Sequence, residues 1–160
     1  MNESFAVYNT IIGLIKIGYK DEVVLHINKV DEANNLGNKT LFSNKVYTEL
    51  EEYFCGVRRK FDLSFYLKGT KFQNMVWREL LNIPYGETRS YEDVAISIGN
   101  PKAYRAVGMA NNRNPIPIII PCHRVIGKNG DLVGFAGDKT NIKRFLLELE
   151  GVNIDIFARS

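Results

Sequence analysis

Cysteine and histidine are scarce in this chain. Its 160 residues include two cysteines, Cys55 and Cys122, and two histidines, His26 and His123. So few cysteines exclude a disulfide scaffold and are more typical of a protein of the reducing cytosol. The four side chains also lack the paired spacing of a closed zinc site, so we expect no bound metal.

Long apolar runs are missing as well. No stretch approaches the roughly 18 uncharged residues that a membrane-spanning helix needs. The first ten residues lack the basic stretch and the following apolar stretch that mark a secretion signal. Because 45% of the residues are nonetheless apolar, the chain can form a hydrophobic core. We therefore expect a cytoplasmic protein that does not bind a membrane.

Acidic residues are absent between Asp93 and Asp131, where five basic residues stand. The formal net charge of the whole chain is only +3. Residues 1–66 carry 8 basic and 9 acidic side chains, whereas residues 67–160 carry 13 basic and 9 acidic ones. The positive charge is therefore local to the second half, where it would suit a phosphate backbone.

The first half of the chain predicts a small antiparallel sheet covered by one helix. β-branched residues are dense near the N-terminus, and a four-residue spacing of apolar side chains follows. The expected elements are strands at 5–10, 11–18 and 22–28, a turn at 18–22, a helix at 43–55 and a further strand at 61–65.

Helical periodicity replaces alternation after residue 70. A first helix ends at the break formed by residues 84–86, and its apolar face consists of Phe72, Val76, Leu80 and Leu81, with Trp77 at the edge. Ser90 and Asp93 form a capping-box variant at the start of a second helix, which Gly99 ends. Asn100 then suits the cap, and Pro101 the first turn, of a third helix.

The second and third of these helices have the outline of a helix-turn-helix. Their expected buried stripes are Tyr91, Val94, Ala95 and Ile98 on one, and Ala103, Ala106, Val107 and Ala110 on the other. The opposite face of the third helix presents Arg105, Gly108, Met109 and Asn112. Gly108 weakens a helix but leaves its backbone approachable. Both a DNA-contacting helix and an ordinary solvated helix fit this pattern.

Cys122 stands in an unusual context. Three prolines in residues 114–121 predict a rigid, extended path that leads to the thiol. His123 and Arg124 follow, and a nearby imidazole and a positive charge both favour a thiolate. Because adjacent side chains in an extended segment point apart, direct contact of the thiol with His123 is not ensured, and a bridging water is the alternative. Cys55, by contrast, fits an inert, buried small hydrophobe.

A carboxylate could complete this set. The C-terminal helix has an apolar stripe of Ile142, Phe145, Leu146 and Leu149, and Glu150 ends one of its rows. A buried carboxylate needs a partner, and His123 is a candidate. Cys122, His123 and Glu150 would then be nucleophile, base and orienting group. Spacing alone leaves a hydrolase, a thiol transferase and a redox protein open.

Residues 69–151 resemble the O6-alkylguanine-DNA alkyltransferases, also called methylated-DNA–protein-cysteine methyltransferases. The shared motifs are Gly69-Thr70-Lys71-Phe72-Gln73, Ile83-Pro84-Tyr85-Gly86-Glu87-Thr88, Ser90-Tyr91, Arg105-Ala106-Val107-Gly108, Asn114-Pro115, Pro121-Cys122-His123-Arg124-Val125-Ile126 and Leu146-Leu147-Glu148-Leu149-Glu150. The segment Pro-Cys-His-Arg-Val, found together with the other motifs, is highly specific for this family.

The resemblance implies an α+β fold of two domains. Residues 1–68 would form a ribonuclease H-like domain with a small antiparallel sheet. It would pack on a mainly α-helical alkyltransferase domain at 69–160, with a helix-turn-helix at about 90–112 and the Pro-Cys-His-Arg motif.

The implied function is DNA repair without a cofactor. An alkyl group, typically methyl, would pass from O6 of guanine, and from O4 of thymine, to Cys122 in one irreversible, stoichiometric step. The partner would be double-stranded DNA carrying O6-alkylguanine, bound by a monomer through the minor groove, with the damaged base flipped out.

The resemblance also implies roles for individual residues. His123 would take the thiol proton through a water, Glu150 would orient His123, Asn114 would hold the active-site turn, and Tyr91 would protonate the leaving guanine. DNA contacts would come from Arg105, Tyr91, Ser90, Gly108, Asn112 and Arg124. The base pocket would include backbone groups of Cys122 and the residues Val125, Met109, Phe135, Ala136 and Gly137.

The chain departs from the family pattern in the pocket. Many relatives have Tyr where Phe135 stands, Ser is common where Ala136 stands, and the segment at 137–143 is one residue longer than usual. Some relatives bind zinc in the N-terminal half, and no matching ligands are present here. Two other functions remain as alternatives: a damage sensor, whose known examples lack the acceptor cysteine, and a cysteine hydrolase, which has no use for Arg105.

Overall fold

The computed structural model describes residues 3–127 and 138–153. It confirms the α+β class, with a three-stranded antiparallel sheet and five α-helices in those residues. The chain divides into two compact units, Met1–Lys68 and Gly69–Ser160. Within the described ranges, no helix is both long and apolar enough to cross a membrane.

The first unit contains the sheet and one helix. Strands β1 (Ser4–Thr10), β2 (Gly13–Lys20) and β3 (Val23–Val30) pair in that order, and helix α1 (Leu41–Phe54) follows. The three predicted strands and the helix are confirmed. The prediction that residues 11–12 belong to β2 is wrong, because they form a turn that leaves the Ile11 side chain 70% exposed.

The strand predicted at 61–65 is reduced to a single bridge between Val24 and Phe65. The buried carboxylate of Glu49, on α1, accepts a 2.8 Å hydrogen bond from the backbone N–H of Asp62. This segment is therefore tied to the helix at one end and to β3 at the other, and it forms no continuous ladder.

The second unit is mainly helical. Its elements are α2 (Lys71–Leu80), β4 (Arg89–Ser90), α3 (Tyr91–Ser97), α4 (Tyr104–Asn112), a single 3₁₀ turn (Cys122–Arg124), β5 (Val125–Ile126) and α5 (Asp138–Leu149). The short strands β4 and β5 pair in parallel, with Arg89 opposite Val125. This pairing holds the start of α3 beside the end of the cysteine-containing turn.

Helix α2 is rotated from the predicted face. Trp77, expected at the edge, is 1% exposed, and its indole N–H donates a 2.8 Å hydrogen bond to the carbonyl of Ala110 on α4. Leu81, expected in the apolar face, is 41% exposed and lies just beyond the last helical residue. The indole needs a polar partner when buried, and α4 supplies it.

The capping box of α3 is confirmed, since Ser90 and Asp93 exchange side-chain and backbone hydrogen bonds at 3.0 and 2.9 Å. The prediction for the start of α4 is wrong. The N–H of Ala103 donates to the carbonyl of Asn100 in a separate turn, and the helix begins at Tyr104. The buried side chains of α4 are therefore Val107, Ala110 and Asn111, while Ala106 is exposed.

Candidate active site

The turn before Cys122 is closed by its own hydrogen bonds. The side-chain amide of Asn114 donates to the carbonyl of Ile120 at 2.7 Å and accepts from the N–H of Ile116 at 3.0 Å. The N–H of Ile120 also donates to the carbonyl of Ile116 at 2.9 Å. The chain therefore reverses direction here and does not follow the extended path that its prolines predict.

Ile118, at the centre of this turn, has a φ of +77° and is 5% exposed. A β-branched residue rarely adopts this left-handed region, because its side chain crowds the backbone. The strain is tolerated because the Ile118 side chain is packed in the core.

Cys122 itself is 6% exposed and begins the 3₁₀ turn. Its N–H donates to the carbonyl of Ile120 at 2.7 Å, and its carbonyl accepts from the N–H of Val125. The N–H and the carbonyl of Cys122 are therefore both held by backbone hydrogen bonds. Cys55, the other thiol, was expected to be buried; it is instead exposed at the C-terminal cap of α1.

The carboxylate of Glu150 joins His123 and Arg124 in the protein interior. Its Oε2 lies 2.7 Å from His123 Nε2, and its side chain is fully buried. Arg124 donates from Nε to Oε1 at 2.8 Å and from Nη2 to Oε2 at 3.0 Å. The N–H of Gly86 adds a fourth hydrogen bond, to Oε1 at 3.0 Å. The predicted His123–Glu150 contact is present.

Arg124, which is predicted to contact DNA, has a buried side chain in the structure. Its guanidinium is buried against Glu150, and its Nη1 donates to the carbonyl of Ile83 at 2.7 Å. A bidentate Arg–carboxylate pair fixes both partners. Arg124 therefore holds the Glu150 carboxylate in place.

The contacts of Glu150 and His123 set the protonation states of these two side chains. Burial alone would raise the pKa of Glu150, but the hydrogen bonds from His123 and Arg124 hold it well below its usual range. Burial lowers the pKa of His123, against the opposing effect of Glu150. An ionised Glu150 beside a neutral His123 requires the His123 Nε2–H to donate, so Nδ1 carries the lone pair. The imidazole is thus a base at neutral pH.

Lys143, which the sequence analysis did not select, is fully buried on α5. Its ammonium donates to the carbonyl of Val125. Burial lowers its pKa to about 8, although the nearby Cys122 acts in the opposite direction. The buried face of this segment is Lys143, Leu146, Leu147 and Glu150, one step around the helix from the predicted stripe. Lysine side chains are ordinarily exposed to solvent, so the sequence pattern does not predict a buried Lys143.

Asn111 was also missed. It is 1% exposed on α4, and its side-chain amide donates to the carbonyl of Cys122 at 3.2 Å. Its Oδ1 is buried and has no hydrogen-bond partner among the described residues. The sequence signal for it was a polar residue next to Ala110, inside the buried stripe of the helix.

Tyr91 begins α3, and its ring faces Gly108 of α4. A Cβ added at Gly108 would lie 3.7 Å from two ring atoms of Tyr91. Burial, and secondarily the nearby Cys122, raise the pKa of Tyr91 to about 12. The phenol is therefore protonated at any physiological pH.

The remaining predicted residues fall into three groups. Arg105, Met109 and Asn112 are exposed on α4, and Ser90 is half-buried at the cap of α3. Val125 is fully buried beside the cysteine turn. Phe135, Ala136 and Gly137 lie outside the described residues. In the parts of the chain that the structure covers, no three His, Cys, Asp or Glu side chains are grouped to hold a metal.

Known proteins resemble the chain in both sequence and fold. A family model described as the DNA-binding domain of 6-O-methylguanine DNA methyltransferase matches residues 71–152. A methylated-DNA–protein-cysteine methyltransferase of Methanosarcina acetivorans is 46% identical over 153 residues, which are 92% of this chain and 97% of the relative.

Solved structures extend the similarity to nearly the whole chain. The O6-methylguanine methyltransferase of Mycobacterium tuberculosis is 38% identical, with a TM-score of 0.85 over 93% of each chain. The OGT of the same organism, in complex with DNA, is 39% identical, with a TM-score of 0.82 over 96% of this chain and 98% of the other. The chain belongs to the methylated-DNA–protein-cysteine methyltransferase family.

Proposed function

We propose that this protein repairs DNA by moving an alkyl group from O6 of guanine to the sulfur of Cys122. The observation that carries this proposal is the buried Cys122–His123–Glu150 set in the same unit as the helix pair α3–α4. A thiol with a neutral base and an oriented carboxylate has the parts of an activated nucleophile.

The reaction begins with loss of the thiol proton. His123 Nδ1 accepts that proton through a water, and Glu150 stabilises the imidazolium that forms because its Oε2 already contacts Nε2 at 2.7 Å. The positive charge of Lys143 near Cys122 favours the thiolate. The site thus generates a nucleophile without a metal or an organic cofactor.

The transfer step is an in-line displacement at the alkyl carbon. The thiolate forms a C–S bond as the C–O6 bond breaks, and the electron pair passes to the guanine ring. Tyr91, whose phenol is protonated, donates a proton to the departing base, and the phenolate that forms is reprotonated from water, to which His123 releases the former thiol proton. The thioether carbon is a poor electrophile, so each molecule reacts once.

We propose that α4 carries the DNA contact. Arg105, Met109 and Asn112 are exposed on this helix, in a segment free of acidic residues. Arg105 would enter the minor groove and replace a flipped base, since a base inside a duplex cannot reach a buried thiol. A monomer suffices for this geometry. O4-alkylthymine, which presents a similar alkyl–oxygen bond, would be a second substrate.

The test is the mass of the intact protein after incubation with a duplex that contains O6-methylguanine. We expect one methyl adduct per molecule, located on Cys122, and none on the Cys122→Ala variant. The Cys55→Ser variant is the matched control and should react fully. No adduct on the wild-type protein, or repeated turnover, would overturn the proposal.

Two alternatives make different predictions in the same experiment. A damage sensor would bind the methylated duplex and remain unmodified. Such a protein would have no use for Cys122 with His123 and Glu150 beside it. A cysteine hydrolase would handle its substrate independently of salt. Binding of DNA that weakens steeply with salt, and less steeply in the Arg105→Ala variant, would exclude the hydrolase.

A further inference from the structure

The cysteine turn is shaped by short-range backbone hydrogen bonds. The N–H of Cys122 donates to the carbonyl of Ile120, and the carbonyl of Cys122 accepts from the N–H of Val125. The N–H of Arg124 donates to the carbonyl of Pro121 at 3.0 Å. Each of these bonds joins residues that are close in sequence, so it shapes the turn without fixing the place of the turn in the unit.

Asn111 ties the same turn to helix α4. Its side-chain Nδ2 donates to the carbonyl of Cys122 at 3.2 Å, across 11 residues of chain. Its own carbonyl accepts from the N–H of Asn114 at 3.3 Å, and Asn114 closes the loop that leads to the thiol. The neighbouring carbonyl of Ala110 is held by the indole of Trp77 on α2. Because Asn111 is 1% exposed, its bond to Cys122 is shielded from water.

The Asn111 side chain does not suit a purely stabilising role. Its Oδ1 is buried and has no hydrogen-bond partner in residues 3–127 or 138–153. An unpaired buried acceptor generally costs more free energy than one neutral hydrogen bond contributes. An apolar side chain of similar shape would therefore be at least as favourable for folding. Local features that oppose stability in this way are typical of functional positions.

The link to α4 matters because this helix is proposed to carry the DNA contact. Arg105 and Met109 are exposed on α4, whereas Asn111 is buried on it. DNA on the exposed side would fix the place of the alkyl carbon relative to α4, and Asn111 would fix the place of the Cys122 main chain relative to the same helix. A displacement reaction is sensitive to such distances, since a misplacement of about 1 Å can slow a reaction about 100-fold.

We propose that Asn111 is a positioning residue, whose side-chain N–H holds the Cys122 main chain at the distance from α4 that alkyl transfer requires. The inference rests on the proposed function. In this role Asn111 acts through Cys122 and contacts neither the alkyl group nor the DNA. Its loss therefore lowers the rate of transfer and leaves the affinity for DNA unchanged.

The experiment replaces Asn111 with two apolar side chains of different size. Leucine keeps the branched shape of asparagine, whereas alanine leaves a cavity. For each protein we would measure the maximal single-turnover rate of methyl transfer from a duplex with O6-methylguanine, the Kd for an unmodified duplex and the melting temperature. We expect both variants to transfer about 10- to 100-fold more slowly than the wild type, with the Kd unchanged.

The melting temperatures separate positioning from packing. That of Asn111→Leu should equal or exceed the wild-type value, because the unpaired buried oxygen is removed, and that of Asn111→Ala should fall because of the cavity. The Asn82→Leu variant is the matched control, since Asn82 is an exposed asparagine of the same unit. It should leave the transfer rate and the Kd unchanged.

Each other outcome has a distinct meaning. A wild-type rate in Asn111→Leu would overturn the role of Asn111, even if Asn111→Ala were slow, because packing and not the N–H would then matter. A joint fall of rate and melting temperature in Asn111→Leu, or a weakened affinity for DNA, would also overturn it. A wild-type protein that receives no methyl group would instead overturn the proposed function.

Discussion

The carboxylate of Glu150 accepts hydrogen bonds from His123, Arg124 and the N–H of Gly86. Its loss would leave the buried charge of Arg124 without a partner. We expect Glu150→Gln to lower the free energy of unfolding by about 3–5 kcal/mol and to slow alkyl transfer at least tenfold. Urea unfolding and single-turnover kinetics measure the two effects.

Glu148→Gln is the control for that change. Glu148 is exposed and pairs with Arg144, four residues earlier. An exposed pair of this kind contributes less than about 1 kcal/mol. Equal effects of the two substitutions would contradict the central position of Glu150.

The lowered pKa values of His123 and Glu150 predict a loss of stability in acid. A group whose pKa is lower in the folded state stabilises the protein above its unfolded pKa, and this stability is lost as the pH falls. For His123 the loss begins below pH 6.5, and for Glu150 below pH 4.5, the ordinary values of the two groups. Urea unfolding at a series of pH values should show both windows, and His123→Gln should lack the first.

Tyr91 is predicted to act in the chemical step more than in binding. Its phenol is protonated at neutral pH, since burial raises its pKa to about 12, and its position near Cys122 would let it donate to the leaving guanine. Removing a general acid typically costs about 10²- to 10⁴-fold in rate. We expect Tyr91→Phe to slow transfer by at least the lower figure and to change the Kd for DNA little. Equal transfer rates for the two proteins would remove this role.

At the scale of elements, Gly108 offers a test of the DNA-facing side of α4. A Cβ at this position would meet the Tyr91 ring at 3.7 Å, an ordinary contact. Since Ala favours a helix over Gly by about 1 kcal/mol, Gly108→Ala should raise the melting temperature. If DNA approaches the α4 backbone here, the same substitution should weaken DNA binding.

The comparison of the melting temperature with the DNA affinity of Gly108→Ala is the control. A protein that becomes more stable and binds DNA less tightly cannot be explained by misfolding. Unchanged DNA affinity in the more stable variant would place the DNA contact elsewhere on the unit.

The elements were predictable where their signals are local. Ser90 and Asp93 identify the start of α3, and Gly99, with a φ of +83°, ends it. The start of α4 was not predictable in this way, because Asn100 and Pro101 fit a helix cap as well as they fit the turn that the chain forms. The loop between α3 and α4 is held by backbone hydrogen bonds, from the N–H of Asn100 to the carbonyl of Ala95 and from the N–H of Ala103 to the carbonyl of Asn100.

The site was predictable where the chemistry is distinctive, as for Cys122, His123 and Glu150. Lys143 and Asn111 were missed because their types are ordinarily exposed, and only the fold shows that they donate to backbone carbonyls in the interior. The buried ion pair of Arg124 was not predicted, because a basic residue in a basic segment suggests contact with a phosphate. Its partner, Glu150, is 26 residues away.

At the scale of the whole molecule, the reaction itself should destabilise the protein. Cys122 is 6% exposed in a packed site, and an added methyl group must displace its neighbours. Overpacking of this kind costs about 1–3 kcal/mol of stability. For a chain of this size, each kcal/mol lost lowers the melting temperature by about 2–4 °C.

Scanning calorimetry before and after reaction with methylated DNA measures this effect, and the Cys122→Ala variant taken through the same treatment is the control. The reacted protein should also be cleaved faster by a protease, because cleavage follows the open population. An unchanged melting temperature after stoichiometric alkylation would contradict the prediction.

The left-handed backbone of Ile118 links the reactivity of Cys122 to the integrity of the fold. A conformation of this kind costs about 1–3 kcal/mol and persists only while the surrounding core enforces it. The turn that presents the thiol to its base therefore opens whenever the packing around Ile118 is lost. We therefore expect Cys122 to react as an ordinary thiol in an unfolded chain, so that the proposed acceptor is used only after the protein has folded.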